Sequence, residues 1–155
     1  MPEYSPKEVV VILPYAGDKV LMQLRDFKPG IAYPGCWGFV SGSIESNETP
    51  EQAARRELLE EIGYNPLSIK KLDRIEVVDM GIISHIYYCP LELNIDEIVL
   101  TEGMDVDLFT LKDVLERTLY SKRAGNIFSV VPSPYIEMTI RMLWSRVNMA
   151  KTQPS

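Results

Sequence analysis

Apolar and polar positions divide the chain into short elements. Val9 to Leu13 is a continuous run rich in β-branched residues, and Lys19 to Leu24 is a second, mainly apolar run. Ala16-Gly17-Asp18 supplies turn chemistry between them, so the pattern predicts a hairpin entering a buried sheet. Phe27 to Gly38 interleaves two Pro and three Gly with Tyr33 and Trp37, which predicts a stiff loop presenting flat side chains. Phe39 and Val40 then read as a short strand leading to Gly42.

The period changes at Thr49-Pro50-Glu51-Gln52, which has the residues of a helix start: a Thr N-cap, Pro at the first helical position, and Gln three residues after the cap. Gly63 supplies the stop. Ala54, Leu58 and Ile62 recur at i, i+4 and i+8 and give this helix one buried stripe. Ile69–Met80 and Ile82–Leu93 read as two longer strands joined near Gly81, and Val106–Phe109 as a short further one. A last amphipathic helix starts at Ser133-Pro134 and buries Ile136, Ile140, Leu143, Trp144 and Val147. The expected organisation is a single domain over 1–148 and a polar tail over 149–155, with no internal repeat or interdomain linker.

Composition narrows the class. At 155 residues, 46% hydrophobic and 25% charged, the chain can build one substantial core. No stretch approaches the ~18 uninterrupted apolar residues of a membrane span, and Met1 to Glu8 has neither a basic nor an apolar leader region. A cytoplasmic protein without a membrane partner is expected. Cys36 and Cys89, without CxxC spacing, support neither a disulfide framework nor a thiolate zinc site and are expected to be reduced. A net charge of −6 argues against a nucleic-acid polymer as partner, because polymer binding relies on Lys and Arg neutralising phosphates.

That negative charge is concentrated. Six glutamates (45, 48, 51, 57, 60, 61) face two arginines (55, 56) between Glu45 and Glu61, which places −4 of the −6 in 17 residues. On the helix, Glu57, Glu60 and Glu61 are related as i, i+3 and i+4, with roughly 5 to 6 Å between neighbouring Cβ atoms. Each such pair repels by roughly 1 to 3 kcal/mol at dielectrics between a protein surface and water. A solvated face is the ordinary reading of a charge run. Here, however, Glu60 and Glu61 lie in the last turn, where the helix dipole disfavours anions, and no Lys or Arg follows them at i+4. A hard divalent cation, Mg²⁺ or Mn²⁺, would relieve this conflict, since it takes oxygen ligands and bridges to phosphates. The single His85 sits in a strand-like run and reads as a packed or surface residue.

From Gly42 the chain reads Gly42, five residues, Glu48, seven residues, then Arg56-Glu57-Leu58-Leu59-Glu60-Glu61-Ile62-Gly63-Tyr64. This resembles the Nudix box, G-x5-E-x7-R-E-U-x-E-E-x-G-U, over 42–64. Seven specified residues match a given start by chance about once in 10⁸ to 10⁹. Tyr64 takes the final aliphatic position, Asn47 the place of a usual Gly, and Val40-Ser41-Gly42 stands where many members have Pro-Gly-Gly. Asn47 can still serve a left-handed turn.

The resemblance implies an α/β fold, a Nudix-type α/β/α sandwich with a mixed β-sheet and a loop-helix-loop box. By the same resemblance, Gly42, Glu57, Glu60, Glu61 and the distant Glu102 would hold Mg²⁺ or Mn²⁺. Arg56 would pair with Glu48 and brace the loop to the helix. One of Glu60, Glu61 or Glu102 would take the proton of the attacking water. Substrate contacts fall outside the box: Tyr33 and Trp37 could stack a base, with Trp37 equally readable as a core residue, while Arg25, Lys28, Lys122 and Arg123 could touch phosphate or sugar or be ordinary surface charges. Chain length and Thr101-Glu102-Gly103 resemble the MutT-like nucleoside triphosphate diphosphatases, including those acting on oxidised nucleotides. Nucleotide-sugar or ADP-ribose hydrolysis is the alternative, although the Pro that often marks ADP-ribose enzymes is missing from Val77-Val78-Asp79-Met80. A third reading is a non-catalytic nucleotide-sensing module. Relatives are often dimers, so a homodimer through the last helix or a strand edge is allowed, although no residue selects it.

Overall fold

A computed structural model describes residues 3–152. The long strand β1 (Lys7–Ala16) lies in the middle of a seven-stranded mixed sheet. One edge of β1 runs parallel to β6 (Ile82–Pro90), from Lys7 opposite Ile82 to Tyr15 opposite Pro90. Two antiparallel partners share its other edge: β4 (Val40–Ser43) pairs with residues 9–12, while β2 (Lys19–Leu24) pairs only at Tyr15 and Ala16. The expected hairpin therefore forms, but β2 diverges at once and leaves the edge to β4. Beyond it, β2 pairs with β7 (Asp105–Thr110) from Lys19 to Leu24 and with β3 (Trp37–Gly38) at its end. On the far side, β5 (Lys70–Val77) runs antiparallel to β6.

Strand alternation produces two cores. Val10, Ile12 and Leu21 face one side, where they meet Ala53, Ala54, Leu58 and Ile62 of α1 (Pro50–Ile62). Leu13, Val20, Met22 and Leu24 face the other, against Ile136, Ile140, Leu143 and Val147 of α3 (Pro134–Thr152). Val114 of the short α2 (Leu111–Leu115) and Leu119 of the hairpin β8 (Thr118–Ser121)/β9 (Asn126–Ser129) join that second core. The arrangement is the expected α/β/α sandwich.

Helix α1 begins and ends where the sequence pattern puts it. Thr49 Oγ1 accepts from Gln52 N at 3.1 Å, Gln52 Oε1 accepts from Thr49 N at 2.9 Å, and Gly63 closes the helix at φ 66. Other boundaries differ. Trp37 and Gly38, within the expected loop, form β3, because Trp37 is drawn into the core and pairs with Leu24. Strand β5 stops at Val77, and residues 78–80 form a 3₁₀ turn before Gly81. The elements α2, β8 and β9 are too short for a periodic signal. Helix α3 continues four residues beyond Asn148, into the expected polar tail, and residues 153–155 lie outside the described part. Among the described residues no helix is long and apolar enough to cross a membrane.

Candidate functional site

The acidic segment is organised by one arginine. The loop between β4 and α1 turns at Asn47, whose φ of 66 is left-handed, and this brings Glu48 back over the helix. Arg56 Nε donates to Glu48 Oε2 at 2.7 Å and Nη2 to Glu48 Oε1 at 3.0 Å, forming a two-pronged grip. Nη2 also donates to the Ser43 carbonyl at 3.0 Å, and Nη1 to Glu57 Oε1 at 2.9 Å and Glu60 Oε2 at 3.2 Å. Glu48 further accepts from Glu45 N at 2.9 Å. The Arg56 hydrogen bonds, followed by that backbone N–H, hold the Glu48 carboxyl below its ordinary proton affinity. Loop and helix are thereby fixed to each other.

Behind this surface the helix buries two acids. Glu57 and Glu61 are 8% and 4% exposed and share the inward face with Leu58. Glu57 can lie there because of Gly42, which sits opposite Val10 on the central strand. A Cβ on Gly42 would come within 2.1 Å of the Glu57 carboxyl, so the missing side chain is the space the carboxylate occupies. Burial raises the proton affinity of Glu57 more than Arg56 lowers it. Glu60 differs from the sequence expectation of one common acidic face: its side chain is 58% exposed and turns outward to Arg56.

A distant loop completes the cluster. Thr101 N donates to the Glu61 carbonyl at 3.0 Å, and Thr101 Oγ1 donates to the carbonyls of Glu60 and Glu61. This clasp over the end of α1 sets Glu102 beside Glu61. Gln23 Nε2 donates to the Glu102 carbonyl at 2.8 Å, and the Gln23 side chain also lies against the Glu61 carboxyl. Burial, then the neighbouring Glu102 carboxyl and the charge of Glu57, push Glu61 up to about 9, against the weaker opposing effect of Gln23. Glu61 Oε2 is buried with no hydrogen-bond partner.

As the side chains lie, no three acids, thiols or imidazoles among the described residues enclose a common point suited to a metal ion. Glu57 and Glu60 are turned to Arg56, and Glu61 to Glu102 and Gln23. The donors still fit a hard dication: they are oxygens, one of them is an orphaned buried acceptor, and the cluster concentrates charge that burial penalises.

The expected substrate contacts separate. Trp37 is fully buried, donates Nε1–H to the Leu119 carbonyl at 3.1 Å, and packs edge-on against Phe109 with ring centroids 5.0 Å apart. It offers no free face to a base, so the stacking role is corrected to a core role. Tyr33 is 42% exposed at a φ of 51, and its ring remains open to contact. Arg25 Nε is spent on the Ala32 carbonyl at 2.7 Å, bracing the loop. Lys28, Lys122 and Arg123 lie near Asp26, Asp107 and Asp105 at 3.5, 3.8 and 3.4 Å. His85 is buried, with Nε2 2.8 Å from Glu8 Oε1. The sequence reading missed Gln23, whose signal was available: it is the one polar side chain within Val20–Leu24.

The NUDIX domain family model matches residues 5–129. An RNA pyrophosphohydrolase of Hydrogenovibrio crunogenus is 45% identical over 42 residues, 27% of this chain and 26% of that protein. An 8-oxo-dGTP diphosphatase of Proteus vulgaris is 51% identical over 41 residues, 26% of this chain and 37% of that protein. The matched regions thus span well under half of these relatives. The NUDIX domain of Shewanella oneidensis NrtR, solved in complex with ADP ribose, superimposes with a TM-score of 0.67 at 19% identity, covering 92% of this chain and 89% of that one. With most of its length matched by the family model, the box formed as loop, helix and loop, and the sandwich shared with a solved NUDIX domain, the chain belongs to the NUDIX domain family.

Proposed function

We propose that the chain is a Mg²⁺- or Mn²⁺-dependent hydrolase of phosphoanhydride bonds, with nucleoside triphosphates, oxidised ones included, as the preferred substrate class. The observation that carries the reading is the pair of buried carboxylates, Glu57 against Gly42 and Glu61 beside Glu102, with Glu61 Oε2 left without a partner. Such a concentration of buried acid is stable in its ionised form only beside a cation.

Glu57, Glu60, Glu61, Glu102 and the Gly42 carbonyl would hold the metal. When bound, it neutralises the oxygens of the diphosphate and makes water a better nucleophile. The chain's own residues supply position and a proton acceptor. Arg56 and Glu48 hold the helix and its preceding loop in one relative placement, so the backbone stays fixed while the acid side chains would turn from their present partners to a cation. A carboxylate among Glu60, Glu61 and Glu102 takes the proton of the attacking water, which displaces a phosphoryl leaving group in line. Tyr33, an exposed aromatic, would contact the base.

The two similar sequences, named for RNA and for 8-oxo-dGTP, and the neighbour holding ADP ribose define the substrates to compare. Hydrolysis of nucleoside triphosphates, ADP-ribose, nucleotide sugars and RNA is measured with Mg²⁺ and with Mn²⁺, and both products are identified. Triphosphates are expected to be cut fastest, with pyrophosphate released. Glu60→Gln and Glu61→Gln are each expected to lower the metal-dependent rate at least tenfold; near-normal rates in both would refute the assignment.

A further inference from the structure

Gln23 interrupts the apolar run Val20–Leu24 of β2. Along β2, Val20, Met22 and Leu24 face the α3 side and Leu21 the α1 side, so alternation turns Gln23 toward α1. It is 3% exposed there, a depth at which a primary amide has to be hydrogen-bonded. Its Nε2–H goes to the Glu102 carbonyl at 2.8 Å.

The loop rests directly on this side chain. Gly103 has a φ of 90, and a Cβ there would come 3.0 Å from Gln23 Cγ, 3.2 Å from Nε2 and 2.8 Å from the Leu24 carbonyl. The same three-residue segment is tied by Thr101 to the end of α1 and by Gly103 N to Asp26 Oδ2 at 3.2 Å. Those ties act at its two ends. Gln23 acts on the residue between them and lies beside the Glu61 carboxyl, so one amide holds the backbone carrying the loop acid next to the helix acid.

We infer that Gln23 is a positioning residue that fixes the separation of the Glu61 and Glu102 carboxylates and so sets the affinity of the site for a divalent cation. The inference rests on the proposed reading of those two acids as metal-holding residues. Gln23 would not touch the cation; it acts through the acids, as groups hydrogen-bonded behind metal ligands do.

The test is a Mn²⁺ titration of the full chain without nucleotide, following free Mn²⁺ by electron paramagnetic resonance, in the wild type, Gln23→Met and Gln23→Asn. Met keeps the volume and removes the amide, whereas Asn keeps the amide and withdraws it from the loop. Both are expected to raise the dissociation constant about tenfold or more, with excess Mn²⁺ restoring the maximal hydrolytic rate. A purely packing role would lower the melting temperature and leave the dissociation constant of the folded protein unchanged, and that result in both variants would overturn the inference. If Gln23→Met does not fold, the Gln23→Asn titration decides. A wild-type chain that binds no Mn²⁺ would overturn the underlying reading of the site, and the inference with it.

Discussion

Arg56 grips Glu48 with two prongs, Nε to Oε2 at 2.7 Å and Nη2 to Oε1 at 3.0 Å, so the loop before α1 and the second turn of that helix move as one piece. A lysine would keep the charge and lose the planar fork. Arg56→Lys is therefore expected to leave the circular dichroism spectrum unchanged and to weaken Mn²⁺ binding and lower Mg²⁺-dependent turnover by about 10- to 100-fold. Turnover within twofold of wild type would show that the brace is dispensable.

Gly42 and Glu57 compete for one volume. In Gly42→Ala the new methyl would meet the Glu57 carboxyl at 2.1 Å, and the carboxylate has to leave its place. Overpacking of this kind costs about 1 to 3 kcal/mol. The expected result is a lower melting temperature together with Mn²⁺ affinity reduced at least tenfold. The paired variant Gly42→Ala/Glu57→Ala, which vacates the volume, should recover the melting temperature and not the affinity.

Glu61 gives the metal-free protein a specific pH dependence. Its folded value is pushed up to about 9 from an ordinary 4.5, chiefly by burial, so the native state prefers the protonated acid. The unfolded chain releases that proton first as pH rises. This group's contribution is therefore complete below about pH 4.5 and is lost progressively toward pH 9. Calorimetry in chelator should show wild type losing more stability between pH 5 and pH 8 than Glu61→Gln does. Added Mg²⁺ should restore the wild type at pH 8 and not the variant.

Much of this arrangement is legible in the sequence, and the limits have physical causes. Helix α1 is set by local chemistry, a Thr-Pro-x-Gln start and a Gly stop, and local chemistry is what a sequence displays most directly. The Glu48–Arg56 pair follows from the recognisable spacing of the box. Trp37 is a different matter: an aromatic in a Pro- and Gly-rich loop looks available, yet the short strand β3 carries it into the core against Phe109 and Leu119, a tertiary contact no local pattern reports. Glu60 faces outward although it shares the helical spacing of Glu57 and Glu61, because Arg56 lies one turn before it and claims its carboxylate. Gln23 was visible as an anomaly, but its partners are 38 and 79 positions away.

Cys89 is deeply buried, and burial above all pushes its thiol up to about 12. It should be inert toward thiol reagents at pH 8, where Cys36, at half-buried depth, reacts. A colorimetric thiol assay is expected to count one reactive group in the native protein and two in denaturant. The unfolded chain ionises this thiol near pH 9, so the Cys89 contribution to stability is present below that pH and falls away as pH approaches 12. Cys89→Ala should flatten that alkaline decline.

Thr101 has a consequence for how the acids can be accommodated at all. A helix terminus normally presents bare carbonyl oxygens, which is a poor neighbourhood for Glu60 and Glu61. Here the Gly63 N–H covers the Leu58 and Leu59 oxygens, while the threonine hydroxyl and amide cover those of Glu60 and Glu61. A peptide containing only residues 42–64 would lack the second half of this covering, having no residue 101 to provide it. On the proposed reading, metal affinity would be a property of the assembled sheet and loop, and a folding chain would acquire it only after two segments some 40 residues apart have met.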